Sequence, residues 1–166
     1  MNKLPVDLSE GERFPVGTDE MTVLTTSAQT NGALFAVAVR MPPGGGPPVL
    51  HRHEPGEVYH VLEGEFTFYV GDPNHRVARI TAVAGQVMPL AGGTPHTVRN
   101  ESERDAVAFV VHAPGAPMEQ FTRAAADLAT KHDVDIATVL ALAEQHGIEM
   151  LGPVPTSSPS EPAAQT

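Results

Sequence analysis

The stretch PPGGGPP at residues 42–48 restricts the fold most, because it can form neither a helix nor an interior strand. Further glycine breaks lie at Asn31-Gly32, Gly64, Gly85 and Gly92-Gly93. From Met21 to about Val111 the segments between these breaks have the length and alternation of short β-strands. Asn31-Gly32 also predicts a hairpin. The region is therefore predicted to be all-β, as a sandwich or barrel.

After residue 117 the pattern becomes helical. Apolar residues recur at helical spacing in two segments, namely Met118, Phe121, Ala125 and Leu128, then Ile136, Val139, Leu140 and Ala143. Asp135 is the expected N-cap of the second helix, and Gly147 follows its end. We predict three parts: a β-barrel over residues 1–115, a helical extension packed on it over 116–152, and a disordered Pro/Ser-rich tail over 153–166.

Composition excludes several classes of function. The chain has 20 acidic and 10 basic residues, a formal charge of −10. This balance disfavours binding to nucleic acid or to an anionic membrane surface. No apolar run approaches the ~20 residues of a membrane span, and the N-terminal residues lack the apolar core of a signal peptide, so a cytoplasmic location is expected. With no cysteine in the sequence, any metal must bind to nitrogen and oxygen.

The stretch HRHEPGEVYH, residues 51–60, carries most of a candidate metal site. His51 and His53 share a face only if this segment is a strand. A type II turn at Pro55-Gly56 would bring Glu57 back towards them. His96 follows a Gly-rich turn and can complete a set of three histidines and one glutamate. Such a site suits one divalent transition metal per chain (Ni, Fe, Mn, Co, Cu or Zn). A three-histidine site without Glu57 is the alternative.

Strand alternation separates the neighbours of these residues. Tyr59 and Val61 are expected to point inward with Glu57, whereas His60 points away and is not expected to be a ligand. The remaining histidines are assigned no chemistry: His75, His112, His132 and His146. Asn100 is expected to fix a turn. Five residues are candidates for a substrate pocket, with core packing as the alternative for each: Tyr59, Phe66, Phe68, Met88 and Phe109.

The spacing of these residues resembles the two sequence motifs of the cupin superfamily. The first motif is matched by Gly45, His51, His53, Glu57 and Gly64. The second is matched by Gly85, Gly93, His96 and Asn100, with Ala91 where the family usually has proline. The resemblance covers roughly residues 15 to 115. It implies a cupin jelly-roll (double-stranded β-helix) barrel, here with a small C-terminal helical extension, and a homodimer.

A narrower resemblance is to single-domain, quercetinase-like cupins. It rests on MPPGGGPPVLHRH, YHVLEGEFTFYVGD, VVHAPG and a C-terminal HGIEMLGP. It implies a metal-dependent dioxygenase that uses O₂ on a flavonol-like or other enolic small molecule. Glu57 is then the candidate base for the substrate hydroxyl proton. The alternatives are a non-oxidative metalloenzyme, such as an isomerase or polyketide cyclase, and a non-catalytic binder of a small ligand.

Overall fold

The computed structural model describes residues 5–7, 9–74, 76–131 and 135–154. His75, His132 and the predicted tail from residue 155 onward lie outside these ranges. The strands are β1 (Arg13–Val16), β2 (Asp19–Thr25), β3 (Phe35–Met41), β4 (Val49–Arg52), β5 (Gly56–Glu63), β6 (Glu65–Gly71), β7 (Val77–Val83), β8 (Val87–Leu90), β9 (His96–Arg99), β10 (Ala106–Ala113) and β11 (Glu149–Pro153). The helices are α1 (Gly115–Ala129) and α2 (Ile136–Gln145), with a 3₁₀ turn at Ser27–Thr30.

The strands form two antiparallel sheets. The six-stranded sheet has the order β1-β2-β3-β10-β5-β8, and the five-stranded sheet has the order β11-β4-β9-β6-β7. The predicted all-β jelly roll with a small helical extension is confirmed. The term barrel needs one correction, because the two sheets do not close into a continuous ring. Neighbouring strands in the chain often lie in different sheets, as β4 and β5 do.

The hydrophobic core lies between the two sheets. Val37 and Val110 face it from the six-stranded sheet, and Phe66 and Phe68 face it from the five-stranded sheet; all four are fully buried. Burial of one such side chain stabilises the fold by roughly 2 kcal/mol. The alternation of buried and exposed residues along β5 and β10 follows from this arrangement.

Two predicted turns differ in outcome. Residues flanking Asn31-Gly32 do form an antiparallel pair, β2 with β3, although a 3₁₀ turn lengthens the connection. The type II turn at Pro55-Gly56 is wrong. Gly56 has no positive φ and already pairs with Ala113 in the β5–β10 ladder. At this point the chain crosses from the five-stranded sheet to the six-stranded one.

Both predicted helices are present. The Asp135 side chain accepts a hydrogen bond from the backbone N–H of Thr138 at 2.7 Å, which confirms the N-cap. The apolar stripe of α2 is nevertheless largely uncovered, since Ile136 is 78% exposed and only Ala143 is buried. Neither described helix is both long and apolar enough to span a lipid bilayer.

Sequence analysis missed the strand that follows the helices. β11 pairs with β4, with Met150 opposite His51 and Glu149 opposite Arg52. An ion pair of 2.7 Å joins Arg52 to Glu149. Met150 packs against the core. The C-terminal extension therefore contributes a strand to the five-stranded sheet, directly beside the first candidate ligand.

Candidate metal centre

Three histidine side chains come together on the inner face of the five-stranded sheet. His51 lies in β4, His53 directly follows that strand, and His96 opens β9. His51 and His96 are register partners in the antiparallel β4–β9 pair, so they project to the same face. One ligand nitrogen from each of the three lies within 4.8 Å of the other two. The structure thus brings together the three histidines that the sequence selects.

Each of these rings has its Nδ1 atom directed at a backbone carbonyl. His53 Nδ1 lies 2.8 Å from the carbonyl oxygen of Pro55, and His96 Nδ1 lies 2.8 Å from that of Thr94. A longer contact of 3.4 Å joins His51 Nδ1 to a carbonyl in β4. Since a carbonyl oxygen only accepts, Nδ1 carries the hydrogen and Nε2 keeps its lone pair. This is the usual arrangement of a metal-binding histidine.

Glu57 reaches the cluster from the opposite sheet. It lies in β5 and is 5% exposed. Its Oε1 atom is 2.7 Å from His96 Nε2, and its Oε2 atom is 2.9 Å from His112 Nε2. Oε1 is a buried atom without a hydrogen-bond partner among the described residues, so its contact with His96 does not have hydrogen-bond geometry. The carboxylate therefore joins the cluster through His96.

The donor set fits a divalent transition metal. Atoms bound to one ion at about 2.1 Å lie about 3 Å from each other, close to the 2.7 Å between Glu57 Oε1 and His96 Nε2. Two bare lone pairs at this separation repel unless a cation lies beside them. Three imidazole nitrogens and one carboxylate oxygen suit Mn, Fe, Co, Ni, Cu and Zn alike. The residues present therefore fit the metal that the motifs imply.

Burial sets the protonation of this cluster. It lowers the pKa of His53, and together with the neighbouring imidazoles it lowers the pKa of His51 to about 4. Both rings are thus neutral near pH 7. For Glu57, burial alone would raise the pKa, but His112 and His96 outweigh it and hold the pKa well below the usual range. For His96, burial alone would lower the pKa, but the Glu57 carboxylate outweighs it and raises the pKa. The site consequently presents two neutral imidazoles, those of His51 and His53, and an ionised carboxylate, which are forms that bind cations.

The loop before β9 is held against the bend that carries His53. The backbone N–H of Gly93 donates to the carbonyl of His53 at 2.7 Å. A Cβ on Gly92 would lie 1.9 Å from the carbonyl oxygen of Glu54, so only glycine permits this approach. The contact explains why a Gly-rich turn precedes His96: it lets the two ligand-bearing segments lie against each other.

His60 and Asn100 lie where the sequence predicts them. His60 lies on the outer face, opposite Phe109 in the β5–β10 pair, as alternation predicts. Asn100 is fully buried and donates to the carbonyls of Met41 and Arg104, which confirms that it fixes a turn.

The candidate pocket residues divide into two groups. The Tyr59, Phe66 and Phe68 rings pack on one another, with centroids 5.2 to 6.5 Å apart, and Met88 lies beside them in the core. Phe109 is a correction, because β10 turns Ala108 and Val110 inward and Phe109 outward. It does not face the interior. A substrate pocket at the other four remains a prediction.

His112 is the residue that sequence analysis missed. It lies in β10, opposite Glu57 in register, and it is buried. It belongs to neither cupin motif, and its distance from Glu57 along the chain hides the contact. It does lie in the VVHAPG stretch of the narrower resemblance, but its contact with Glu57 is identified only by the β5–β10 pairing combined with alternation along β10.

Comparison with known proteins agrees with this fold. Residues 37–112 match the family model described as Cupin domain. A Thermotoga maritima protein described as a predicted oxalate decarboxylase is 28% identical, with 66% of this chain and 98% of that chain covered and a TM-score of 0.56. No curated protein matches the sequence.

Two more distant structures share only the fold. Bacillus subtilis oxalate decarboxylase, described with Mn(II) centres, is 19% identical at a TM-score of 0.57; the match covers 67% of this chain but 29% of that chain. Drosophila melanogaster CENP-C bound to CAL1 is 13% identical at a TM-score of 0.55, with 64% and 85% covered. The chain has the cupin fold. Because such different proteins share it, function has to be argued from the site.

Proposed function

We propose that this protein is a metal-dependent cupin enzyme that binds one divalent transition ion through His51, His53 and His96, with Glu57 as the fourth ligand. Its substrate would be a small molecule with an enolic or carboxylate oxygen. The leading reaction is an O₂-dependent oxidation of a flavonol-like or other enolic compound, as the quercetinase-like motifs imply. The cupin fold and the cluster of three histidines support metal binding. The reaction is proposed in addition to them.

The observation that carries the proposal is the orientation of the three rings. Their Nδ1 atoms face backbone carbonyls, which leaves three Nε2 lone pairs converging on one point. A packed or solvated histidine has no need of this shared arrangement. A non-catalytic ligand binder would have no need of it either.

The chain's own residues would divide the work. A bound ion would stabilise the negative charge of the substrate oxygen and lower its pKa. His51 is the least buried of the three rings, so the side of the cluster beside it is the natural approach for a substrate.

Glu57 is a weaker candidate for the base than the sequence alone suggests. Its Oε2 atom already accepts from His112, and its pKa lies well below the ordinary range. A strongly acidic carboxyl takes up a proton less readily. The role of Glu57 as base stays a prediction. Its contacts with His96 and His112 agree better with a role as metal ligand.

A second candidate is a non-oxidative reaction of a small carboxylate or enolisable compound. The neighbours described as oxalate decarboxylases favour it. The same donors would serve both classes, because each would use the ion to stabilise negative charge on a substrate oxygen. Isomerase and cyclase reactions belong to this candidate too. Turnover under argon separates it from the dioxygenase.

Metal content tests the proposal directly. Protein purified without added metal is expected to contain close to one divalent ion per chain by elemental analysis. Alanine at His51, His53 or His96 should remove most of it. His60→Ala is the matched control, since His60 lies on the outer face of β5. Equal metal in the three variants and in the control would exclude the site.

Activity tests the chemistry. Apo-protein loaded separately with Mn, Fe, Co or Ni is mixed with quercetin and followed by absorbance, with and without O₂. O₂-dependent loss supports the dioxygenase. If no metal supports it, oxalate and other small carboxylates are tested under argon for release of CO₂. Inactivity in both series, with the metal bound, would move the non-catalytic ligand binder to first place.

A further inference from the structure

His112 occupies a position in β10 where an apolar side chain would be expected. It is buried, it lies opposite Glu57 on one side and Phe35 on the other, and its ring stacks on Phe35 with centroids 5.9 Å apart. The inward neighbours Ala108 and Val110 are fully buried and apolar. His112 is thus a polar side chain among the inward-facing apolar side chains of β10.

The contacts of His112 are one-sided. Nε2 lies 2.9 Å from Glu57 Oε2, whereas Nδ1 is buried without a hydrogen-bond partner among the described residues. Most buried side-chain nitrogens in proteins have a hydrogen-bond partner. An unsatisfied buried nitrogen costs stability, so the retained feature is the bond to Glu57.

The contact with His112 gives the two oxygens of the Glu57 carboxylate different surroundings. Oε2 is turned towards His112 in the six-stranded sheet, and Oε1 is turned towards His96 in the five-stranded sheet. A rotation that turned both oxygens towards the histidine cluster would break the contact with His112. Glu57 is therefore held with one oxygen available to the histidine cluster.

We propose that His112 is a positioning residue that holds Glu57 Oε2 away from the metal, so that the carboxylate donates through Oε1 alone. This inference rests on the proposed metal centre. It assigns a role to a strand outside both cupin motifs. It also predicts that the metal keeps a further open position, because the carboxylate does not take up two.

The test uses full-length protein and Co(II) as the probe. Gln and Met are a matched pair at position 112, since they have similar length but only Gln carries an N–H donor. His112→Met should weaken Co(II) binding 10- to 100-fold in a competition assay, the range found when partners of metal ligands are removed. It should also change the visible Co(II) spectrum as Oε2 turns inward. His112→Gln should restore most of the affinity and the spectrum. His60→Met is the control.

A double variant separates positioning from general damage. If His112 acts through Glu57, adding His112→Met to Glu57→Ala should weaken binding no further than Glu57→Ala alone. Additive losses would overturn the inference. So would a His112→Met protein that binds Co(II) within twofold of wild type with the same spectrum.

A second measurement tests the inference even if the His112→Met protein does not fold. In wild-type apo-protein the Nε2 proton of His112 should give a downfield NMR resonance that disappears in Glu57→Ala. Its absence would overturn the inference even if His112→Met failed to fold. If wild-type protein bound no Co(II), the metal centre itself would fall, which is distinct from failure of the role of His112 alone.

Discussion

His51 and His96 lie directly opposite each other in the β4–β9 pair, with ring centroids 4.7 Å apart. The alignment of two strands that are distant in sequence thus decides whether the cluster exists. A slip of one residue would turn one ring to the outer face. The parts of the fold that fix this register are therefore as important for the site as the ligands themselves.

The contact between Gly92 and the Glu54 carbonyl is predicted to fix the two ligand-bearing segments. Gly92→Ala should lower the free energy of unfolding by about 3 kcal/mol and weaken metal binding, because the new Cβ displaces the bend after His53. Gly93→Ala is the matched control: its φ is +77° but a Cβ there meets nothing within 4 Å, so we expect only about 1 kcal/mol. Urea unfolding measures both. Equal losses would contradict the prediction.

β11 is predicted to support His51. Met150 is opposite His51 and packs on the core, whereas the adjacent Leu151 is 40% exposed. Met150→Ser should cost about 2 kcal/mol of stability and raise the dissociation constant for the metal. Leu151→Ser should change stability by less than about 0.5 kcal/mol. Thermal unfolding with and without added metal measures the effects. Equal effects of the two variants would show that β11 does not support the site.

Asp19 is predicted to make stability depend on pH. It is buried and accepts a hydrogen bond from the N–H of Gly46 at 3.2 Å, and burial raises its pKa. A carboxyl with a raised folded-state pKa contributes stability at low pH, and this contribution is lost as pH rises through that pKa. Asp19→Asn keeps the acceptor oxygen without the charge.

Asp19→Asn should therefore match or exceed wild-type stability at pH 7, and its relative advantage should shrink as pH falls towards the raised pKa. Urea midpoints between pH 4 and 7 measure this. Asp105→Asn, at an exposed ion pair with Arg40, is the control. A variant clearly less stable than wild type at pH 7 would contradict the prediction.

The homodimer implied by the family resemblance remains a prediction, and the outer face of the six-stranded sheet is where it can be tested. Val58, Leu62 and Val87 are 39 to 56% exposed there, with Phe109 between them. Val87→Lys should convert the dimer to a monomer in light scattering. Val83→Lys, on an exposed position of the other sheet, should not. If light scattering shows that the wild-type protein is a monomer, the predicted homodimer is wrong.

Much of the site could be predicted because strand geometry is local. Alternation places His51 and His53 together and turns His60 away without any knowledge of strand pairing. The same rule correctly orients Tyr59 and Val61. Alternation does not identify the partner residue on a neighbouring strand. It therefore cannot predict the contact between Glu57 and His112.

The errors have related causes. Pro55-Gly56 resembles a turn by composition, but the chain uses it to change sheets. Phe109 is a pocket candidate by residue type, but it is adjacent to the inward-facing Val110, so alternation turns it outward. β11 is short and contains glycine and proline, so no strand is predicted there, and residues 149–152 fall within the predicted helical extension. Its strand form depends on pairing with β4, which lies far away in sequence.

The pairing of β11 with β4 also sets an order of events during synthesis. β4 leaves the ribosome early, with His51 already in place, but the strand that covers its free edge is among the last described segments to be translated. Until then β4 presents open backbone groups to the cell. β11 can therefore support His51 only after translation has passed residue 153.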